Sequence, residues 1–182
     1  MKTKRSFAIA LSGVSCAMSI IALLGGLFSP LAKLAFYVIA AIFVALPLTK
    51  NIWAGALASY AITATIGFFA GNIRSFPFIF FFGIYAIVLW ALDFRLYKTQ
   101  KLPKVAKIVL IIIVKIAFFV ASFFVCLSLM KIVVGDINLF GWEWTLPTLL
   151  AVGFVAFSLY DALFRFVFAT MQSMVNKYIK KK

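Results

Sequence analysis

The sequence predicts an all-α, polytopic membrane protein: one bundle of six transmembrane helices, with the N-terminus and the C-terminus both in the cytoplasm. Of its 182 residues, 66% are hydrophobic, only 12% are charged, and Phe alone occurs 22 times. A soluble domain of this size cannot hide so much apolar surface from water. The apolar residues also form runs close to the ~20 residues that a helix needs to cross a bilayer.

Six apolar runs define the predicted spans, in chain order at 7–28, 31–48, 52–70, 76–92, 105–134 and 146–171. The runs are continuously apolar and do not alternate with period two, so we expect helices and not barrel strands. The first run follows a basic start, as a secretory signal does, but it continues well past Cys16 and is expected to stay as a helix. Residues 1–182 are therefore predicted to form a single transmembrane domain.

Basic residues orient the bundle, because Lys and Arg near span ends prefer the cytoplasmic side. With the N-terminus inside, thirteen of the eighteen Lys and Arg fall in inner segments, and only Lys33, Arg74 and Lys131 fall in outer ones. The same charges predict attraction to anionic lipids of a bacterial cytoplasmic membrane. No basic face lies outside the predicted membrane, so we do not expect nucleic-acid binding.

Catalytic and metal chemistry have little support in this sequence. It contains no His and only four carboxylates, at Asp93, Asp136, Glu143 and Asp161. These carboxylates are predicted at different depths, which disfavours an acid and base pair. Motifs for a nucleophile, a nucleotide or a metal are not found. We therefore expect neither an enzyme nor a bound cofactor.

Small residues recur on two predicted helices. In the third span they stand at every fourth position, which keeps them near one helix face: Gly55, Ser59, Thr63, Gly67 and Gly71. The first span carries Gly13 and Ala17 with the same spacing. Small side chains let another backbone approach closely in lipid, so these faces predict either seams within the bundle or docking surfaces for a partner subunit.

Three charges, Lys115, Asp161 and Arg165, lie well inside predicted spans and away from their ends, where an isolated one costs at least ~2.5 to 3.5 kcal/mol. Asp161 and Arg165 are four residues apart on the sixth helix and can pair. Lys115 lies ~12 Å from the inner end of the fifth helix at 1.5 Å per residue. The three predict a structural cluster or part of a transport or coupling pathway, unless Lys115 instead extends to the inner surface.

The outer loop before the sixth helix concentrates aromatic and polar residues. It contains two indoles, two carboxylates and an amide: Asp136, Asn138, Trp142, Glu143 and Trp144. Trp at this depth is often an interfacial anchor. The alternative is a binding site in which indoles stack on a planar ligand while polar groups hold its edge. Arg74, in the preceding outer loop, could contribute to such a site.

These features together resemble the substrate-binding S components of energy-coupling factor transporters. Locally, LGGLFSP at 24–30 and FFGIYAI at 81–87 look like segments of uncharacterised bacterial S-component-like membrane proteins. The resemblance implies binding of a vitamin-like small molecule from outside, with a transmembrane coupling subunit and two ATPases supplied by other chains. A competing class is a membrane scaffold of similar size, such as the rod-shape protein MreD.

Overall fold

The protein folds as a helical bundle, seen in a computed structural model that describes residues 2–29, 32–98, 103–134 and 146–179. These residues form six α-helices and no strand: α1 Lys2–Phe28, α2 Lys33–Ala45, α3 Trp53–Gly71, α4 Ile84–Lys98, α5 Lys104–Val134 and α6 Leu146–Ile179. The predicted all-α fold is confirmed. Helices α1, α4 and α6 run beyond the apolar stretches that predicted them, because helical hydrogen bonding does not require apolar side chains.

Five helices are long and apolar enough to cross a membrane: Ser6–Phe28, Lys33–Lys50, Trp53–Ser75, Val105–Ser128 and Leu150–Val175. The apolar stretch Phe78–Leu92 is shorter. However, α4 has 15 residues and follows a π-helical segment, Phe78–Gly83. Together they provide about 30 Å of helix, close to the thickness of the hydrocarbon core. The long apolar helices indicate a multi-pass membrane protein.

Two asparagines end helical segments by taking a positive φ. After α2, the chain continues as a 3₁₀ helix, Leu46–Lys50, and then Asn51 adopts φ 59°. The Asn51 N–H donates to the carbonyl of Leu48, which closes the segment. At the other end of α3, Asn72 has φ 50°. Asn tolerates the left-handed region better than most residues, so each position allows a sharp change of direction between packed helices.

Serine hydroxyls of α1 donate to carbonyls of α2 and show that these two helices are antiparallel. Ser15 Oγ donates to the Phe43 carbonyl at 2.5 Å. One turn further along α1, Ser19 Oγ donates to the Ala40 carbonyl at 3.0 Å. The residue number therefore rises along α1 while it falls along α2. Because lipid offers these hydroxyls no hydrogen-bond partner, the contacts favour a close and specific α1–α2 interface.

Helices α1 and α3 run parallel, because their contacts advance together. Ser59 Oγ donates to the Ser12 carbonyl at 3.1 Å. Further along both helices, Leu23 lies against Gly67. The third helix thus returns to the direction of the first, with α2 between them in the chain. The segment after α3 runs antiparallel to it, since Gly67 lies against Ser75 while Tyr60, earlier in α3, lies against Gly83 and donates its hydroxyl to the Ile79 carbonyl at 2.7 Å.

The second half of the bundle follows the same alternation. Phe81, in the π-helical segment that leads into α4, packs its ring on Phe157, and Tyr85 of α4 packs on Phe164, so this segment with α4 runs parallel to α6. Helix α5 runs against them, since its Lys115 meets Asp161. Further along α5, Phe123 contacts Gly153, which precedes Asp161 on α6.

The start of α1 and the end of α6 therefore lie at one end of the bundle, together with the end of α2, the start of α3, the end of α4 and the start of α5. The other described helix ends lie at the opposite end. An even number of alternating helices produces this arrangement, and the predicted N-in, C-in orientation requires it. Which end faces the cytoplasm remains a prediction from the distribution of Lys and Arg.

Candidate functional site

An ion cluster ties the start of α4 to the interior of α5 and α6. Lys115 Nζ of α5 lies 2.5 Å from Asp161 Oδ2 of α6. The Tyr85 hydroxyl of α4 donates to Asp161 Oδ1 at 2.5 Å. Arg165 Nε, one turn along α6, donates to the same oxygen at 3.4 Å. The predicted pairing of Asp161 with both cations is present, and Lys115 makes the shorter contact.

The cluster is set in an aromatic core. Tyr85, Phe157 and Phe164 are at most 5% exposed. The centroids of the Tyr85 and Phe157 rings are 5.1 Å apart, in an edge-to-face arrangement. Phe81 and Phe118 also pack together at this level. Such rings shield much of the carboxylate from its surroundings, which strengthens its ion pair and makes the loss of one partner costly.

Tyr85 is the site residue that sequence reasoning missed. It lies in the segment 81–87, which was singled out for its resemblance to other proteins and not for its chemistry. A phenol in an apolar span is a usable signal, since a buried tyrosine hydroxyl usually finds a hydrogen-bond partner. Three donors converge on the Asp161 carboxylate, so the geometry suits a fixed electrostatic link better than a catalytic acid or base.

The small-residue face of α3 is covered by α1. Ser59 and Thr63 are fully or almost fully buried there. A Cβ added at Gly55 would collide with Ser12, and one added at Gly67 would collide with Leu23. Gly55, Ser59 and Thr63 were predicted as a seam within the bundle or as a partner surface, and these contacts correspond to the seam. This face of α3 is consequently unavailable to a partner.

The small residues of α1 have a different environment. Gly13 and Ala17 are exposed, and a Cβ added at Gly13 would meet no atom within 4 Å. The two residues lie on the side of α1 that does not contact α2 or α3. The docking prediction for Gly13 and Ala17 stays a prediction.

The predicted ligand-binding residues can be placed only in part. Arg74 is exposed in the 3₁₀ segment Asn72–Ser75, and its carbonyl accepts the Tyr37 hydroxyl at 2.6 Å. The other five lie outside the described residues: Asp136, Asn138, Trp142, Glu143 and Trp144. Helix α5 ends at Val134 and α6 begins at Leu146. Both positions are at the Arg74 end of the bundle.

In the parts of the chain that the structure describes, no group of three or more His, Cys, Asp or Glu is placed to hold a metal ion. Comparison of the chain with protein-family models, with curated proteins and with solved structures finds no significant match.

Proposed function

We propose that the protein is a substrate-binding subunit of the S-component type in a bacterial cytoplasmic membrane. It takes up a vitamin-like small molecule from outside, together with a separate transmembrane coupling subunit and ATPases. The observation that supports this function most is topological. The alternating helices bring Arg74 and both anchors of the segment 135–145, Val134 and Leu146, to the same end of the bundle. The segment that carries the other predicted binding residues thus begins and ends at the Arg74 end of the bundle.

The chemistry of this end suits recognition of a planar, polar ligand. Trp142 and Trp144 supply indole faces for stacking, which gives affinity. Asp136, Asn138 and Glu143 supply the few polar groups that give orientation and selectivity. Arg74 is exposed and adds a fixed positive charge. The role proposed for this end is binding and not catalysis.

A membrane scaffold of the MreD type is the second candidate. It is favoured by the filled core of α4, α5 and α6, in which Tyr85, Phe119, Phe157 and Phe164 are all buried. A scaffold needs a rigid bundle with an exposed helical face and does not need a ligand cavity. The two functions differ in what the purified protein carries: a small molecule in the first case, and only protein partners in the second.

The test uses the intact protein purified in mild detergent, denatured, and analysed by mass spectrometry for released small molecules. We expect a compound that copurifies with the native chain in a fixed ratio. Trp142→Ala should lower the affinity for this compound about tenfold or more, so that the compound is lost during purification. Such a loss corresponds to ~1.4 kcal/mol, within what one aromatic contact supplies.

The matched control is Trp53→Ala. Trp53 is 58% exposed at the first residue of α3, at the opposite end of the bundle. The Trp53→Ala variant should keep the compound. No copurifying compound, or equal loss from both variants, would contradict the binding function. Copurification of cell-wall assembly proteins without a small molecule would favour the scaffold.

A further inference from the structure

The π-helical segment Phe78–Gly83 is held by tyrosines from two other helices. Tyr60 of α3 donates its hydroxyl to the Ile79 carbonyl at 2.7 Å. Tyr160 of α6 donates its hydroxyl to the Phe82 carbonyl at 3.2 Å. A π-helix, which closes through i→i+5 hydrogen bonds, is rare compared with the α-helix. Side-chain donors that reach its carbonyls therefore favour the π form over the α form.

The chain on each side of this segment is fixed separately. On the C-terminal side, Tyr85 of α4 is held by the ion cluster. On the N-terminal side, the connection Asn72–Ser75 is held by Tyr37 of α2, whose hydroxyl donates to the Arg74 carbonyl at 2.6 Å. Pro77 stands between this connection and the π segment and has no N–H, which removes one helical hydrogen bond between them. A change within the segment can therefore move the connection while α4 keeps its place.

The π form contains one residue more than an α-helix would place between the same two ends, because each of its hydrogen bonds closes one residue later. Conversion to the α form, with α4 fixed, moves the preceding chain outward by one residue, or about 1.5 Å, and turns it by about 100°. Ile79 then takes the place of the fully buried Phe78. All residues at 76–84 are apolar, so both registers bury apolar side chains.

We propose that Phe78–Gly83 is a two-state hinge, which converts between the π form and an α form and so moves the connection Asn72–Ser75 at its end of the bundle. In the π form, the two tyrosine hydroxyls hold the segment, and Arg74 stays bound to Tyr37. In the α form, Arg74 advances by one residue and turns away from Tyr37. The hinge is a property of this helix and does not depend on whether that end of the bundle binds a ligand.

Fluorine NMR of the intact protein in detergent tests the hinge. A fluorine probe is attached to Arg74→Cys in a background of Cys16→Ser and Cys126→Ser, and we expect one dominant resonance. Tyr60→Phe and Tyr160→Phe keep the rings but remove the hydroxyl donors. Each should raise a second resonance about fivefold, the change that ~1 kcal/mol from one hydrogen bond produces. The double tyrosine variant should show the largest second resonance.

Two further variants show whether the second resonance comes from the hinge. Thr65→Val is the matched control, because it removes a hydroxyl-to-carbonyl hydrogen bond within α3 and should leave the resonances unchanged. Deletion of Phe80 removes the surplus residue, so it should abolish the second resonance in the double tyrosine variant. Size-exclusion chromatography checks that each variant is folded.

Three results would each overturn the proposal. The first is a single resonance at the native position in the double tyrosine variant. The second is an equal response to Thr65→Val. The third is a second resonance that survives deletion of Phe80. The first two results are decisive even when the shortened chain does not fold, because the tyrosine and threonine variants keep the chain length.

Discussion

At the scale of single residues, Asp161 links α4, α5 and α6. It accepts from Tyr85, Lys115 and Arg165, and each of the first two comes from a different helix. The contacts of Asp161 with the two cations were predictable, because Arg165 is four residues away on the same helix and Lys115 lies at a similar depth. Tyr85 was not predicted: its hydroxyl distinguishes it from the Phe residues of its span and signals a hydrogen-bond partner, but spacing and charge do not show that this partner is Asp161.

Asp161→Asn should destabilise the bundle by about 3 kcal/mol, because it leaves the largely buried Lys115 without its counter-ion. The double variant Asp161→Asn, Lys115→Met should regain part of this loss, since no cation is then stranded. Thermal unfolding in detergent, followed by tryptophan fluorescence, measures both. A double variant that unfolds at or below the temperature of the single variant would contradict the pairing.

At the scale of elements, the π-helical segment Phe78–Gly83 links the two halves of the bundle. Tyr60 of α3 donates to its Ile79 carbonyl, and Tyr160 of α6 donates to its Phe82 carbonyl at 3.2 Å. The sequence predicted the apolar span at 76–92 but not this wider turn. A π segment depends on contacts made by other helices, and those contacts are not visible in the hydrophobic pattern.

Gly83→Ala should destabilise the protein by about 1 to 3 kcal/mol, the usual cost of overpacking. A Cβ at this position would lie 2.7 Å from the ring of Tyr60 and 3.1 Å from the Phe78 carbonyl oxygen, which is backbone and cannot move aside cheaply. Gly13→Ala is the control, because its Cβ meets no atom within 4 Å. It should be neutral or stabilising by up to ~1 kcal/mol in thermal unfolding. Equal effects of the two changes would show that the π segment is not closely packed.

At the scale of the whole molecule, the apolar runs and their spacing were enough to predict six helices and their order. The four-residue spacing of small residues also predicted the small-residue face of α3, although only the structure shows that α1 covers this face. The sequence could not assign helix contacts such as the parallel α1–α3 pair, because lipid-facing and buried residues are both apolar in a membrane protein. The ligand-binding prediction stays open for Asp136, Asn138, Trp142, Glu143 and Trp144, which lie outside the described residues.

The orientation of the bundle underlies the proposed function, since a site at the Arg74 end can capture an external ligand only if that end faces outward. Labelling of single cysteines in intact cells, with a reagent that does not cross membranes, measures it most directly. In a background of Cys16→Ser and Cys126→Ser, Arg74→Cys and Asn138→Cys should react, while Thr99→Cys should react only after the cells are opened. Reaction at Thr99→Cys in intact cells, with Arg74→Cys and Asn138→Cys protected, would invert the bundle and contradict uptake through this end.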